Sequence, residues 1–332
     1  KGHPGTFDRC EATVSKRTLL VLRIAVFIAA CAFLYVRLGR DGAGLQRLFA
    51  WFTYAHSPWS ALVPVVLLML LNWSIEALKW RVLVREVERM PFVRAFAAVV
   101  AGTSIGLITP NRVGEFAGRV LFLRPDHRVR GAFATLLGSI AQFVVTVLVG
   151  ALFLFLFPLD FVDQEPGALW PVVRWCALLI GGATVFLYFS PGTLEWVFLA
   201  VPWSRRFERQ VRVLGAFRGQ RLTVVATLSG LRYAVFTLQF AWLLHTVGAV
   251  PWSTACARVP VIFLVTTLIP TTALTELGVR GSVTDTLVSG GDPVGVVVSS
   301  ILIWAVNIAL PALVGSLILL VARIRTESPD AG

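Results

Sequence analysis

The chain has 332 residues, of which 57% are hydrophobic and 14% are charged, and its mean hydropathy is +0.78. Soluble domains contain about 45–50% apolar and about 25% charged residues, so this composition excludes an ordinary soluble protein and predicts an all-α integral membrane protein. The formal charge of +12 does not indicate nucleic-acid binding. Its arginines cluster in short loops beside apolar segments, as membrane orientation and anionic headgroups require.

Apolar stretches of roughly 20 residues, the length that crosses a bilayer, recur along the chain. We predict six full spans: Thr18–Leu38, Trp59–Val84, Gly131–Phe157, Trp170–Phe189, Leu222–His245 and Pro293–Val321. The whole chain, residues 1–332, is predicted to form a single transmembrane domain. Its four cysteines and four histidines are far apart in sequence, so no metal site, redox pair or cofactor is indicated.

Two further apolar segments, Phe92–Leu123 and Pro251–Ser289, are predicted to be re-entrant helical hairpins. Arginines flank the first segment on both sides, so the positive-inside rule places both of its ends in the cytoplasm. The second segment is followed by a loop without positive charge, so it enters from outside. An alternative with eight crossings would place the arginines around Arg128 on the wrong side.

The basic residues at both termini predict a multi-pass protein of the inner, cytoplasmic membrane with both termini in the cytoplasm. The order span, hairpin, span occurs twice, in residues 59–157 and 222–321, and the linking span 170–189 inverts the second copy. Inverted repeats are typical of alternating-access transporters, whose substrate site is formed by broken helices near the midplane.

Each hairpin contains a proline followed by a glutamate and an arginine four residues apart. The first has Pro110 with Glu115 and Arg119, and the second has Pro270 with Glu276 and Arg280. This spacing puts both charges on one helix face. We expect the two prolines to approach each other near the midplane and the four charges to line one polar cavity, because ionisable residues in membrane segments mark functional sites. The alternative is that each pair only stabilises its hairpin.

The residues around the first proline suit an anion. Thr109 is a good helix N-cap followed by a proline at the first helical position, and such a helix end attracts phosphate or carboxylate. Arg112 and Arg119 add guanidinium groups that bind phosphate. The predicted substrate-binding residues are Thr109, Pro110, Asn111, Arg112, Gly114, Glu115, Arg119, Pro270, Thr271, Thr272, Glu276, Arg280, Glu76 and Arg232.

Two members of this set lie in full spans. Glu76 is deep enough to need a partner, which Lys79 or a hairpin arginine would provide. We expect Lys79 and Arg81 to extend to the cytoplasmic interface instead. Arg232, near the middle of its span, is expected to bind substrate or to pair with Glu276.

Small residues at helical spacing predict close helix packing at Gly102 and Gly106, at Gly114 and Gly118, and at Gly278 and Gly281. The basic loop Arg205–Arg221 mixes arginines with apolar residues, which is typical of a helix lying among anionic lipid headgroups. Membrane lipids are therefore the expected partners.

The pattern Ala77-Leu-Lys-Trp-Arg-Val-Leu83, then Gly106-x-x-x-Pro110-x-x-x-Gly114-Glu115 with Arg119, then Pro270 followed by Glu276, resembles the lysylphosphatidylglycerol synthase transmembrane region family of flippase-like proteins. The resemblance covers residues 18–321. It implies that Pro110, Gly114, Glu115 and Arg119 belong to a lipid translocation path, with Pro270 and Glu276 opposite.

These observations predict a flippase-like transporter that moves an anionic or amphiphilic lipid, either a phospholipid or a polyprenyl-linked lipid, between leaflets. No P-loop, metal triad or Ser/His/Asp constellation is present in the sequence, so no enzymatic activity is expected. Two alternatives stay open: a membrane-embedded partner subunit of a separate lipid synthase or glycosyltransferase, and a lipid-modifying enzyme with Glu115 or Glu276 as general base. A homo-oligomer is also left open.

Overall fold

The structure is a computed structural model that describes residues 58–109, 112–157, 169–190, 219–269, 273–288 and 291–322, together with a few isolated positions. The predicted first span, Thr18–Leu38, and most of the basic loop at 205–221 lie outside the described residues. The described part of the chain is helical throughout and contains no strand. Its α-helices are α1 Pro58–Val84, α2 Phe92–Ile108, α3 Gly114–Val120, α4 Arg128–Leu156, α5 Leu169–Tyr188, α6 Gly219–Thr246, α7 Trp252–Leu268, α8 Ala273–Leu287, α9 Pro293–Trp304 and α10 Leu310–Val321.

Five helical segments are long and apolar enough to cross a membrane, as expected of a multi-pass membrane protein. They are α1, α4 with the turn before it, α5, α6, and α9 continued into α10 through the π-helical turn Ala305–Ala309. Large apolar side chains on their outer faces are exposed, including Trp59 at 69%, Leu67 at 61% and Phe186 at 73%. A surface of this kind is stable against acyl chains and unfavourable in water.

The helices α2 and α3 form an antiparallel pair in which glycines allow backbone contact. A Cβ atom added at Gly118 would lie 2.6 Å from Cα of Gly102, and one added at Gly114 would lie 2.5 Å from the carbonyl oxygen of Ile105. Neither distance leaves room for a side chain, so the predicted close packing of this hairpin is confirmed.

In the second pair, α8 packs against α7 and α9. The predicted close packing at Gly278 and Gly281 is wrong, because no described atom lies within 4 Å of a Cβ built at either position. The glycines are four residues apart in the first hairpin and three apart in the second, and among the described residues those of the first hairpin alone have a helix in backbone contact.

The two ends of each hairpin meet. Before and after the α2–α3 pair, Glu88 accepts a hydrogen bond from the backbone N–H of Arg124 at 2.9 Å. Before and after the α7–α8 pair, the backbone N–H of Asp292 donates to the carbonyl of Gly248 at 2.8 Å. The chain segments before and after each helical pair therefore lie side by side.

These two ends are at opposite sides of the molecule, because α1 and α6 run antiparallel. Trp242 near the end of α6 donates to the carbonyl of Ala61 near the start of α1 at 3.2 Å. Arg221 at the start of α6 pairs with Glu86, just beyond the end of α1, at 2.6 Å. The first hairpin begins after α1 and the second begins after α6, so they begin at opposite ends of the α1–α6 pair.

Each hairpin also packs against the last long helix of the other half. The first hairpin's α2 contacts α10, where a Cβ added at Gly315 would collide with the carbonyl of Val100. The second hairpin's α7 contacts α4, where a Cβ added at Gly150 would lie 3.0 Å from the carbonyl oxygen of Pro260. These reciprocal contacts hold the two halves in one core.

Candidate functional site

A buried carboxylate on α1 holds three basic side chains. Glu76 is 3% exposed and its two oxygens lie 2.7 Å from Arg119 Nη1 and 2.7 Å from Lys79 Nζ. Arg232 on α6 places Nε 3.4 Å from the same carboxylate. An unpaired carboxylate at this depth would cost several kcal/mol, and these contacts offset that cost. Glu76 therefore connects α1 to the first hairpin and to α6.

The first hairpin adds a second acid between two arginines. Glu115 accepts from Arg112 Nη2 at 2.7 Å and from Arg119 Nη2 at 3.3 Å, as the four-residue spacing to Arg119 predicts. Arg112 adopts a positive φ of 57° in the turn that enters α3. This conformation costs a non-glycine residue about 1–3 kcal/mol and is often found at functional sites.

The turn differs from the predicted N-cap. The short helix α3 begins at Gly114, and its N-cap residue Val113 makes no side-chain capping bond. Thr109 instead ends α2, and its hydroxyl accepts a hydrogen bond from the N–H of Gly114 at 2.7 Å. The expectation that Thr109 and Pro110 start the helix is therefore wrong, since the helix starts several residues later.

The second hairpin has the corresponding glutamate–arginine pair, and an aromatic ring lies beside it. Arg280 Nη2 lies 2.8 Å from Glu276 Oε1, and its guanidinium carbon lies 5.9 Å from the ring centre of Phe236 on α6. Arg280 is 8% exposed, and its Nε and Nη1 atoms are buried without a hydrogen-bond partner among the described residues. Such donors cost about 1–3 kcal/mol each unless a ligand or water satisfies them.

These groups surround two adjoining cavities of about 270 Å³ and 290 Å³, which we call together the charged cavity. Glu276 and Arg280 line the first, Glu115 and Arg119 line the second, and Arg112, Gln142, Thr146 and Arg232 line both. Five basic side chains and three acidic ones contribute to the lining, a formal excess of two positive charges: Lys79, Arg112, Arg119, Arg232 and Arg280 against Glu76, Glu115 and Glu276. An anion is the ligand that this balance favours.

Two expectations about the spans need correction. Lys79 does not extend to the interface, since it is 2% exposed and paired with Glu76, whereas Arg81 is exposed. Arg232 pairs with Glu76 rather than with Glu276, and it also donates to Gln142 at 3.3 Å. In both cases the buried carboxylate of Glu76 provides a stronger partner than the alternative.

Five residues of the predicted site lie outside the described residues: Pro110, Asn111, Pro270, Thr271 and Thr272. The expected approach of the two prolines therefore stays a prediction. Seven of the nine remaining members line the charged cavity, whereas Thr109 and Gly114 hydrogen-bond to each other in the turn that carries Arg112.

Sequence reasoning missed two residues that contact arginines of the charged cavity. Gln142 hydrogen-bonds Arg232, and its position as a lone amide within the long apolar helix α4 was a signal that could have found it. Phe236 contacts Arg280, but one more aromatic residue in an apolar helix gives no such signal.

Within the part of the chain that the structure describes, no group of three or more His, Cys, Asp and Glu side chains is placed to hold a metal ion. No protein-family model matches the chain, and no curated protein matches its sequence. The resemblance to the lysylphosphatidylglycerol synthase transmembrane region family stays a prediction.

Proposed function

We propose that this protein is a flippase-like transporter that moves an anionic lipid between the leaflets of the membrane, with the headgroup in the charged cavity. The observation that carries the proposal is a polar cavity with two excess positive charges among helices of membrane-crossing length. Charges at this depth are costly and are kept where a substrate path needs them.

The chemistry of the lining favours a phosphate-bearing headgroup. Four of its five basic side chains are arginines, which bind phosphate oxygens through directed hydrogen bonds and remain charged when buried. The cavity volumes suit a headgroup, while the acyl chains remain among the exposed apolar faces of the spans. Both a phospholipid and a polyprenyl-linked lipid can place the headgroup in the cavity and the apolar chains outside it.

The proposed architecture has six spans and two re-entrant hairpins in two inverted repeats. It is supported by the meeting ends of each hairpin, by the opposite positions of those ends, and by the reciprocal packing of α2 on α10 and α7 on α4. Opposed hairpins bring their charged tips to the middle of the bundle, where alternating-access transporters hold their substrates. The proposed orientation has both termini in the cytoplasm.

Reconstituted vesicles test this proposal. Fluorescent phosphatidylglycerol is placed in both leaflets, and a membrane-impermeant quencher measures its exchange. We expect the protein to accelerate exchange over protein-free vesicles and Arg280→Gln to slow it about tenfold or more, since a buried charge contact is lost. Arg221→Gln is the control, because this arginine pairs with Glu86 outside the charged cavity. Exchange no faster than in protein-free vesicles would refute the transporter.

A further inference from the structure

The two halves of the protein are related by contacts that repeat at an offset of 160–165 residues. Asn72 on α1 donates to Asn307 at 3.4 Å, and Arg232 on α6 donates to Gln142 at 3.3 Å. Arg232 lies 160 residues after Asn72, and Asn307 lies 165 residues after Gln142. The same offsets relate the two helix-crossing contacts described above, Gly315 with Val100 and Gly150 with Pro260: Pro260 lies 160 residues after Val100, and Gly315 lies 165 residues after Gly150.

This relation identifies the counterpart of the buried ion pair. Phe236 lies 160 residues after Glu76, and Arg280 lies 161 residues after Arg119. The contact of Arg119 with Glu76 at 2.7 Å therefore corresponds to the contact of Arg280 with the ring of Phe236 at 5.9 Å. One half has a carboxylate at this position, and the other half has an aromatic ring.

Because Phe236 stands where the other half has the carboxylate of Glu76, Arg280 has fewer hydrogen-bond acceptors than Arg119. Both terminal nitrogens of Arg119 donate to carboxylates, one to Glu76 and one to Glu115. Only Nη2 of Arg280 has such an acceptor, in Glu276, while its Nη1 and Nε are buried without a partner among the described residues, at the edge of the charged cavity that Arg280 lines. Phe236 supports the guanidinium by a cation–π contact without supplying a negative charge.

We propose that a phosphate group binds to Arg280, at the position that Glu76 occupies against Arg119 in the other half. The phosphate supplies the acceptor that Phe236 lacks, and Arg112 and Arg232 line the same cavity. The protein thus has one half whose arginine contacts two internal carboxylates and one half whose arginine contacts one internal carboxylate and the ligand. This assignment rests on the proposed function for the source of the phosphate, a lipid headgroup.

A substitution that restores the missing carboxylate tests the assignment. Phe236→Glu gives Arg280 the internal partner that Arg119 has, and Phe236→Gln is a control of the same size without the charge. Binding is measured in detergent by the thermal stabilisation that short-chain phosphatidylglycerol produces, and separately by that of inorganic phosphate. We expect Phe236→Glu to bind about tenfold or more weakly than Phe236→Gln, because the carboxylate competes with the phosphate for Arg280.

The outcomes separate this assignment from the proposed function. If Phe236→Glu and Phe236→Gln bind phosphatidylglycerol with equal affinity, the site at Arg280 is overturned. The proposed transporter still stands in that case, provided that the unmodified protein exchanges lipid. Stabilisation by inorganic phosphate alone supports the site and assigns it to free phosphate instead of a lipid. If Phe236→Glu does not fold, Arg280→Gln is compared with Arg221→Gln, and equal affinity of these two variants overturns the proposal.

Discussion

Glu76 is the residue on which the charge arrangement depends. A single carboxylate lies within 3.4 Å of atoms from Lys79, Arg119 and Arg232, so these three cations share one anion. Pairs at the surface contribute about 0–1 kcal/mol because water solvates the separated charges equally well. Inside the bundle, water cannot take the place of a missing partner.

We therefore predict that Glu76→Gln lowers the free energy of unfolding by about 3–5 kcal/mol, since it leaves buried cations uncompensated. The control is Glu86→Gln, which removes the partially exposed pair with Arg221 and should cost less than about 1 kcal/mol. Thermal and denaturant unfolding in detergent measure both variants. Similar losses for the two would show that the buried cluster contributes no more than a surface pair.

At the scale of the helices, the two hairpins share a sequence pattern and differ in contacts. The α2–α3 pair is in backbone contact through its glycines, whereas Gly278 and Gly281 of α8 have no described atom within 4 Å of an added Cβ. Arg119 also has a second acid across the bundle, whereas Arg280 has a ring. Equivalent substitutions in the two hairpins should therefore have opposite results.

Alanine substitutions test the packing difference. Gly118→Ala brings a methyl group against the backbone of Gly102 and should cost about 1–3 kcal/mol, because α2 and α3 must separate. Gly278→Ala meets open space in the described structure and should stabilise α8 by about 0.5–1 kcal/mol through the lower flexibility of alanine. The unfolding temperatures of the two variants in detergent should move in opposite directions, and a shift in the same direction contradicts the packing described here.

Charge reversal tests the electrostatic difference. The double variant Glu115→Arg with Arg119→Glu places a new glutamate against Glu76. The yield of folded protein, measured by size-exclusion chromatography, should therefore fall. Exchanging Glu276 and Arg280 keeps the pair beside Phe236 and should leave the yield of folded protein near that of the unmodified chain. Equal tolerance of both exchanges would mean that Glu76 does not govern the first hairpin.

At the scale of the whole molecule, the meeting ends of each hairpin predict which loops share a side of the membrane. Single cysteines at Arg89 and at His127 should react with an impermeant thiol reagent from one side, since Glu88 joins these two loops. A cysteine at Ala249, in the loop before α7, should react from the opposite side. Labelling of Arg89 and His127 from different sides would contradict re-entry of the first hairpin.

Much of this arrangement could be predicted from the sequence, and the reasons for the failures are physical. Five spans and the pairing of Glu115 with Arg119 follow from hydropathy and helical spacing, which are local properties. The contact of Glu76 with Arg119 joins residues 43 positions apart, so the sequence predicts only that Glu76 needs some partner. The start of α3 was misplaced because a threonine can cap a helix from outside the N-cap position.

The position of Glu76 and Arg119 within the same half affects how the chain is assembled during synthesis. Both residues, together with Lys79 and Glu115, precede the end of α4, so the ribosome delivers them before any part of the second half. Segments that emerge first can fold first, and this half already holds acids for its arginines. The second half reaches the membrane later with Arg280, which has one carboxylate, Glu276, where Arg119 has two. We expect the first half to be inserted as a stable unit, onto which the second half is then built.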